Sequence, residues 1–222
     1  MTFGQLPYDV AHLFGGGMLL LSFMLLYQRR VAAVINALAI QGTILACAAA
    51  WQGLIQGAPQ LYLTALVAFA AKAVLIPLAL RMMIRRLDMD RTVDTAMGIG
   101  PSLMAGVALV ALAILVLLPV TTGAQAITRE DLALALSVVL LGMLMMITRR
   151  NAILQVVGLM SMENGLILAA VGVTGMPLVV ELSTAALVMV VLVVAGVFVF
   201  QIRERFDSVD VSLLDPHRGE GR

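Results

Sequence analysis

Long apolar stretches separated by short polar connections make up most of the chain. Seven stretches contain the roughly 20 mostly apolar residues that a helix needs to cross a hydrocarbon core about 30 Å thick. They cover approximately residues 8–27, 31–51, 61–81, 101–121, 131–148, 152–172 and 178–201. The pattern predicts an all-α fold, a polytopic transmembrane helix bundle of about seven spans.

Composition agrees with this prediction. Of 222 residues, 62% are hydrophobic and 12% are charged, and the mean hydropathy is +1.05, whereas soluble domains are about one-quarter charged. Aromatic residues make up only 5%, which favours long helices over the aromatic-girdled strands of an outer-membrane barrel. The net charge of +1 does not indicate nucleic acid as a partner. Because Cys47 is the only cysteine, this chain alone cannot build a disulfide framework, a multi-cysteine metal site or an iron–sulfur site.

The basic residues are distributed unevenly between the connections. Basic clusters follow the first, third, fifth and seventh spans, as Arg29, Arg30, Arg81, Arg85, Arg86, Arg91, Arg149, Arg150, Arg203 and Arg205. The connections after the second and sixth spans have no charge, and the one after the fourth carries only Arg129, beside Glu130 and Asp131. By the positive-inside rule the side with the basic clusters is cytoplasmic, so we expect a bacterial inner-membrane protein with its N-terminus outside and its C-terminus inside. The N-terminal "MTFGQLPYDVAHLFGGG" has no basic n-region, which predicts a retained first helix and not a cleaved signal.

The first three and the last three spans share an order of features. The segment "SFMLLYQRR" matches "GMLMMITRR", "GAP" matches "GMP" and "RRLD" matches "ERFD", at offsets between 118 and 122 residues. Units separated by four spans have the same orientation, so the repeat is parallel and not inverted. We therefore divide the chain into a first three-helix unit with its cytoplasmic loop, a connecting helix, a second three-helix unit and a cytoplasmic tail. Their ranges are 1–100, 101–125, 126–206 and 207–222.

Two ionisable residues are predicted at mid-membrane depth. Lys72, the only lysine, is nine residues from Arg81 and twelve from Gln60, which places it about 13–18 Å from either end of its span at 1.5 Å per residue. Glu163, followed by Asn164, is equally central in the sixth span. Glu181 lies about 6 Å inside the outer end of the seventh.

Other polar residues lie in the first two spans. His12 and Asp9 are near the outer end of the first, and Asn36 and Gln41 are in the second. Two interpretations remain open for the buried polar groups. They can hold helices together through interhelical hydrogen bonds or one buried ion pair. Alternatively Glu163, Lys72 and Glu181 form a proton path with the support of Asn164, Gln41, Asn36 and His12, because a low dielectric disfavours the charged forms of carboxyl and ammonium groups.

Prolines and glycines add local features to these helices. Pro77 interrupts the hydrogen-bond ladder five residues after Lys72, and Pro177 begins the seventh span. A proline in a membrane helix frees a carbonyl for a side chain or water. The glycines at 15–17, 142, 158, 165 and 196 indicate close helix packing and not a phosphate-binding loop, because no strand precedes them.

The second half of the chain, and above all "MENG", "GMPLVVEL" and "FDSVD" within residues 149–214, resembles the hydrogenase-4 component E family. Through that family it is similar to the three-helix K-type subunit of respiratory complex I and the C-type subunit of multisubunit cation/proton antiporters. The K-type subunit carries buried glutamates in helices 2 and 3, on its lateral proton path. Glu163 matches the first by position. The second is more central in the family than Glu181, and Lys72 lies outside the match.

The resemblance implies a non-catalytic membrane subunit, not an enzyme by itself, of a complex I-like, group 4 [NiFe]-hydrogenase or formate hydrogenlyase assembly. Nickel–iron and iron–sulfur centres would lie on partner subunits, and this chain would contain no cofactor or metal. Its expected partners are the peripheral hydrogenase arm, antiporter-like and quinone-site-like membrane subunits, and the lipid bilayer. A cation/proton antiporter subunit, a free-standing transporter and a structural scaffold are the alternatives.

Overall fold

The computed structural model describes residues 6–86, 97–120 and 126–172, and within these ranges it contains helices and no strands. The helices are α1 (Leu6–Tyr27), α2 (Val31–Gln56), α3 (Gln60–Ala68), a π-helical segment (Phe69–Leu75), α4 (Ile76–Arg86), α5 (Ile99–Val120), α6 (Ala126–Thr148) and α7 (Ala152–Gly172). The prediction of an all-helical chain is confirmed for this part.

Six helices in the described ranges are long and apolar enough to cross a membrane. They are Asp9–Tyr27, Val31–Gln56, Gln60–Arg85, Ile99–Leu117, Glu130–Thr148 and Ala152–Val171. Each corresponds to one of the first six predicted spans. The third is longer than predicted, because α3, the π-helical segment and α4 follow one another without interruption. The predicted seventh span at 178–201, Glu181, Pro177, Gly196 and the tail at 207–222 lie outside the described residues, as does most of the cytoplasmic loop.

Two helical hairpins form the centre of the bundle. Residues 28–30 connect α1 to α2, and residues 149–151 connect α6 to α7. The hairpins pack side by side, with α1 against α6 and α2 against α7. The third span packs on α2, while α5 packs on α6 and α1. Helices that correspond in the predicted repeat are thus neighbours in space, and the repeat itself stays a prediction.

Arg149 joins the two hairpins at one end of the bundle. Its side chain is buried, and its Nη2 donates hydrogen bonds to the carbonyl oxygens of Leu25 and Leu26 at 2.7 and 2.8 Å. The carbonyl groups in the last turn of α1 have no N–H partner within the helix, and Arg149 supplies one. The positive charge of the guanidinium is also favourable at the negative C-terminal end of the helix dipole. Burial lowers the pKa of Arg149 to about 10, so it stays charged at neutral pH.

Other contacts show which helix ends lie together. Arg81 near the end of the third span donates to Asn36 in the second turn of α2. At the opposite end, the Gln56 amide donates to the carbonyl of Val171 at 3.1 Å. Arg29, Arg30, Arg81, Arg149 and Arg150 therefore share one end of the bundle.

The closest helix contact in the described bundle is a seam of glycines between α6 and α7. A methyl group at Gly142 would lie 2.5 Å from the amide nitrogen of Met162 and 2.9 Å from the carbonyl oxygen of Gly158. Gly158 and Gly165 face backbone atoms of α6 just as closely. The prediction that these three glycines permit close packing is confirmed. Gly16 is different, since a methyl group there would meet nothing within 4 Å.

We expect Gly142→Ala to destabilise the protein by about 1–3 kcal/mol, because the obstructing atoms are backbone and the helices must move apart. The measurement is the thermal unfolding midpoint of the purified protein in detergent. Gly16→Ala is the matched control. It places the same methyl group in a helix without a clash, and it should be neutral or stabilising by up to about 1 kcal/mol. Equal unfolding midpoints for the two variants would contradict the claim that Gly142 is needed for the close packing of α6 and α7.

Candidate functional site

Six polar residues from four helical segments meet in the middle of the bundle. We call this group the central polar cluster: Ser22 of α1, Gln41 of α2, Lys72 of the π-helical segment, and Ser161, Glu163 and Asn164 of α7. All six are buried, and the two ionisable members, Lys72 and Glu163, are only 5% and 7% exposed. The cluster is therefore removed from solvent on every side that the described helices cover.

Lys72 and Glu163 form a buried ion pair. The Lys72 Nζ lies 3.1 Å from Oε2 of Glu163 and donates a hydrogen bond of 3.0 Å to Oδ1 of Asn164. Both carboxylate oxygens are buried and have no hydrogen-bond partner among the described residues, so the contact of Oε2 with Lys72 is an ion-pair contact. An unsatisfied carboxylate oxygen in such a place is costly. The site thus has an acceptor that can still take a proton or a water molecule.

A chain of hydrogen bonds extends from Lys72 towards α1. Asn164 Nδ2 donates to Oε1 of Gln41 at 3.2 Å, and Gln41 Nε2 donates to the hydroxyls of Ser22 and Ser161 at 2.9 and 3.1 Å. Ser22 in turn donates to the carbonyl of Met18 at 3.0 Å.

The direction of this chain follows from its first member. A lysine ammonium only donates, so Asn164 must turn its oxygen towards Lys72 and its nitrogen towards Gln41. Gln41 must then turn its own nitrogen towards the serines. The amides hold Lys72 in place and link α1, α2 and α7.

The π-helical segment sets the position of Lys72. Pro77 has no N–H to donate, and its ring would clash with the carbonyl of Ala73 in a regular α-helix. The wider π-helical turn accommodates this, and Ile76 donates to the carbonyl of Ala71, five residues earlier. On the facing helix, a methyl group at Gly42 would lie 2.8 Å from the carbonyl carbon of Lys72. Gly42 thus lets the backbone at Lys72 approach α2, next to Gln41.

Apolar layers flank the central polar cluster on both sides along the bundle axis. Towards the start of α1, the buried residues include Met18, Leu45, Ala49, Val138 and Ile167. Towards the arginine-rich end, they include Leu25, Leu38, Leu141, Val157 and Met160. Buried hydroxyl groups also lie at the level of the first layer, with Ser137 next to Val138 and Thr64 next to Ala65. The two layers are thus mainly apolar.

A second polar group lies at the end of the bundle opposite the arginines. His12 of α1 contacts α6, with Nδ1 at 2.8 Å from Oδ1 of Asp131 and Nε2 at 3.4 Å from Oε2 of Glu130. Asp9 is exposed near this end. These residues are separated from the central polar cluster by the apolar layer around Met18. Within the described ranges, His, Cys, Asp and Glu side chains form no group that could hold a metal ion.

The structure brings together four of the residues that the sequence singled out: Lys72, Glu163, Asn164 and Gln41. It does not bring Asn36 or His12 to them, because these lie at opposite ends of the bundle. Glu181 lies outside the described residues. Whether the four residues carry protons stays a prediction.

Three residues that make these hydrogen bonds were not predicted from the sequence. Ser22 and Ser161 complete the central polar cluster, and Arg149 caps α1. A signal for Ser161 was available, because it precedes Asn164 by three residues and so shares a helix face with it. Ser22 interrupts an apolar run in the first span, which is a weaker signal. Nothing in the sequence distinguishes Arg149 from its neighbour Arg150, which is only partly buried.

The chain is similar to the protein described as "Uncharacterized protein Rv0085" from Mycobacterium tuberculosis (strain ATCC 25618 / H37Rv). The two are 27% identical over 201 residues, which cover 90% of this chain and 91% of the mycobacterial protein. No family model and no solved structure matches the chain. The similarity extends over nearly the full length of both proteins, and it carries no statement about activity.

Proposed function

We propose that this chain is a non-catalytic integral membrane subunit of a complex I-like, membrane-bound hydrogenase of the formate hydrogenlyase type. It couples electron transfer in a peripheral arm to proton or cation translocation. The observation that carries the proposal is the buried contact between Lys72 and Glu163 in the middle of the bundle. The resemblance of residues 149–214 to the hydrogenase-4 component E family supports it independently.

The ion pair has two states that differ in the position of one proton. In the ionic state Lys72 is an ammonium beside a carboxylate, and in the neutral state the proton has crossed the 3.1 Å between Nζ and Oε2. Loss of solvent favours the neutral state, while mutual attraction and the Asn164 hydrogen bond favour the ionic one. Because these effects oppose each other, a charge that approaches on a partner subunit can change the balance. Such a response is what coupling requires.

The proposal includes a lateral route by which protons reach the pair from a neighbouring subunit. The mainly apolar layers on both sides of the cluster along the bundle axis support this route. Oε1 of Glu163, which has no hydrogen-bond partner among the described residues, is the acceptor on it. This arrangement suits a subunit of a larger membrane arm better than an autonomous carrier.

The same proposal includes the placement of the chain. We propose a bacterial inner membrane, with the N-terminus outside and the C-terminus inside. The arginines that share one end of the bundle support a cytoplasmic location of that end by the positive-inside rule. The partners are antiporter-like and quinone-site-like membrane subunits and a peripheral hydrogenase arm. Nickel–iron and iron–sulfur centres belong to that arm.

The experiment that tests the proposed assembly is purification of the affinity-tagged chain from its native membrane in a mild detergent. We expect hydrogenase-like and antiporter-like subunits to copurify at constant stoichiometry, identified by mass spectrometry. Purification with antiporter-like subunits but without a redox arm would favour the cation/proton antiporter alternative. Proton-linked cation transport by the purified chain alone in liposomes would contradict a role that depends on partners.

A structural scaffold is the second candidate, and the hydrogen-bond chain through Gln41 favours it. Gln41 links three helices through two serines and Asn164, as polar residues in membrane bundles do. The two functions make different predictions for a variant that lacks the charges of both Lys72 and Glu163. If the pair carries protons, coupling is lost even when the protein is stable, and if it is a scaffold, coupling persists.

A further inference from the structure

A cleft of about 410 Å³ lies between α1, α5 and α6, away from the central polar cluster. Its walls are apolar and come from all three helices, with Leu19 on α1, Val110 and Ile114 on α5, and Leu134 on α6. His12 and Glu130 border it as polar residues. The volume is within the range of about 300–1,000 Å³ that is usual for ligand sites.

The residues that line the cleft lie at two different depths in the membrane. Glu130 is the first residue of the apolar span Glu130–Thr148, and His12 is the fourth of Asp9–Tyr27. Both therefore lie at the level of the lipid headgroups. Leu19 and Ser137 are seven residues further along their helices, about 10 Å deeper. The cleft thus has a polar end at the membrane interface and an apolar body in the hydrocarbon region.

In the sequence, the polar end has three carboxylates, Asp9, Glu130 and Asp131, against Arg129 and His12, which is a formal excess of negative charge. Asp131 is occupied by its 2.8 Å contact with His12, while the Glu130 side chain is 63% exposed and 3.4 Å from Nε2 of the same histidine. One histidine cannot neutralise two carboxylates. Glu130 is therefore the group that can accept hydrogen bonds from a positively charged ligand.

We propose that this cleft binds an aminophospholipid of the phosphatidylethanolamine type, with its primary ammonium at Glu130 and one acyl chain between α1, α5 and α6. A primary ammonium has N–H donors for charge-assisted hydrogen bonds to a carboxylate. The trimethylammonium of a choline lipid has no N–H, and an anionic glycerol lipid brings no positive charge. The inference does not depend on the proposed coupling function, because no member of the central polar cluster lines the cleft.

Native mass spectrometry of the purified protein, with equimolar ethanolamine, choline and glycerol phospholipids of identical acyl chains, tests the proposal. We expect the ethanolamine lipid to be retained about tenfold more than either competitor. Glu130→Gln should abolish this preference. Ile114→Trp should fill the cleft and reduce retention of the ethanolamine lipid about tenfold.

The adjacent residue Leu115 provides a matched control for the tryptophan. It is 68% exposed on α5 and does not line the cleft, so Leu115→Trp should retain the lipid as the unaltered protein does. Unfolding midpoints of all variants confirm that the bundle is intact. Equal retention of the choline lipid, preference for the anionic lipid, or equal effects of the two tryptophans would each overturn the proposal.

Discussion

Replacement of Glu163 by glutamine is expected to reduce the rate of proton translocation about a hundredfold or more in the assembled complex, because a positioned acid–base group contributes about 10²–10⁴-fold. Glutamine has nearly the same shape, and its amide oxygen can still accept from Lys72. It cannot take up or release a proton. The variant therefore tests titration of Glu163 with little change in packing.

The measurement is proton translocation in membrane vesicles alongside electron transfer, with the subunit content of the complex followed by mass spectrometry. Glu220→Gln is the matched control. It makes the same chemical change in the polar C-terminal stretch of the sequence, at a residue without a role in either proposed site, and it should leave coupling unchanged. Normal coupling in a fully assembled Glu163→Gln complex would exclude Glu163 from the proton path.

Hydropathy alone predicted the six spans in the described ranges, because each span carries its own length of apolar residues. The depths of Lys72 and Glu163 also followed from sequence, since the rise per residue of a helix is constant. The end at which the arginines cluster could be predicted for the same reason: each property belongs to one helix and does not require its neighbours.

The contact between Lys72 and Glu163 could not be predicted in this way. The two residues are 91 positions apart in sequence (163 minus 72), so they meet only through the packing of α2, α7 and the third span. The helices α2 and α7 have no amphipathic stripe that shows which face turns inwards. The depth of Lys72 and Glu163 within their helices could therefore be predicted from the sequence, but their contact with each other could not.

Gln41 illustrates the same limit. The sequence places Gln41 in the first predicted three-helix unit, whereas Glu163 and Asn164 belong to the second. The structure places Gln41 in hydrogen-bond contact with Asn164 of the second unit. The two units thus contribute to one site. Sequence comparison of the units cannot show this, because it aligns equivalent positions and does not indicate which of them touch.

Replacement of Lys72 by methionine is expected to cause the largest loss of stability, about 3–5 kcal/mol. Methionine fills a similar volume but leaves the Glu163 carboxylate buried without its counter-charge, and it removes the donor to Asn164. The measurement is the free energy of unfolding in detergent, or the unfolding midpoint where unfolding is irreversible. An unchanged midpoint would contradict the buried ion pair.

The double variant Lys72→Met with Glu163→Gln separates coupling from scaffolding. Removal of both charges from a buried pair is often neutral or stabilising, because the desolvation cost disappears together with the attraction. We therefore expect the double variant to regain most of the stability that Lys72→Met loses and to assemble with its partners. If the pair carries protons, coupling stays lost in this stable complex. If the pair only holds helices together, coupling returns together with stability.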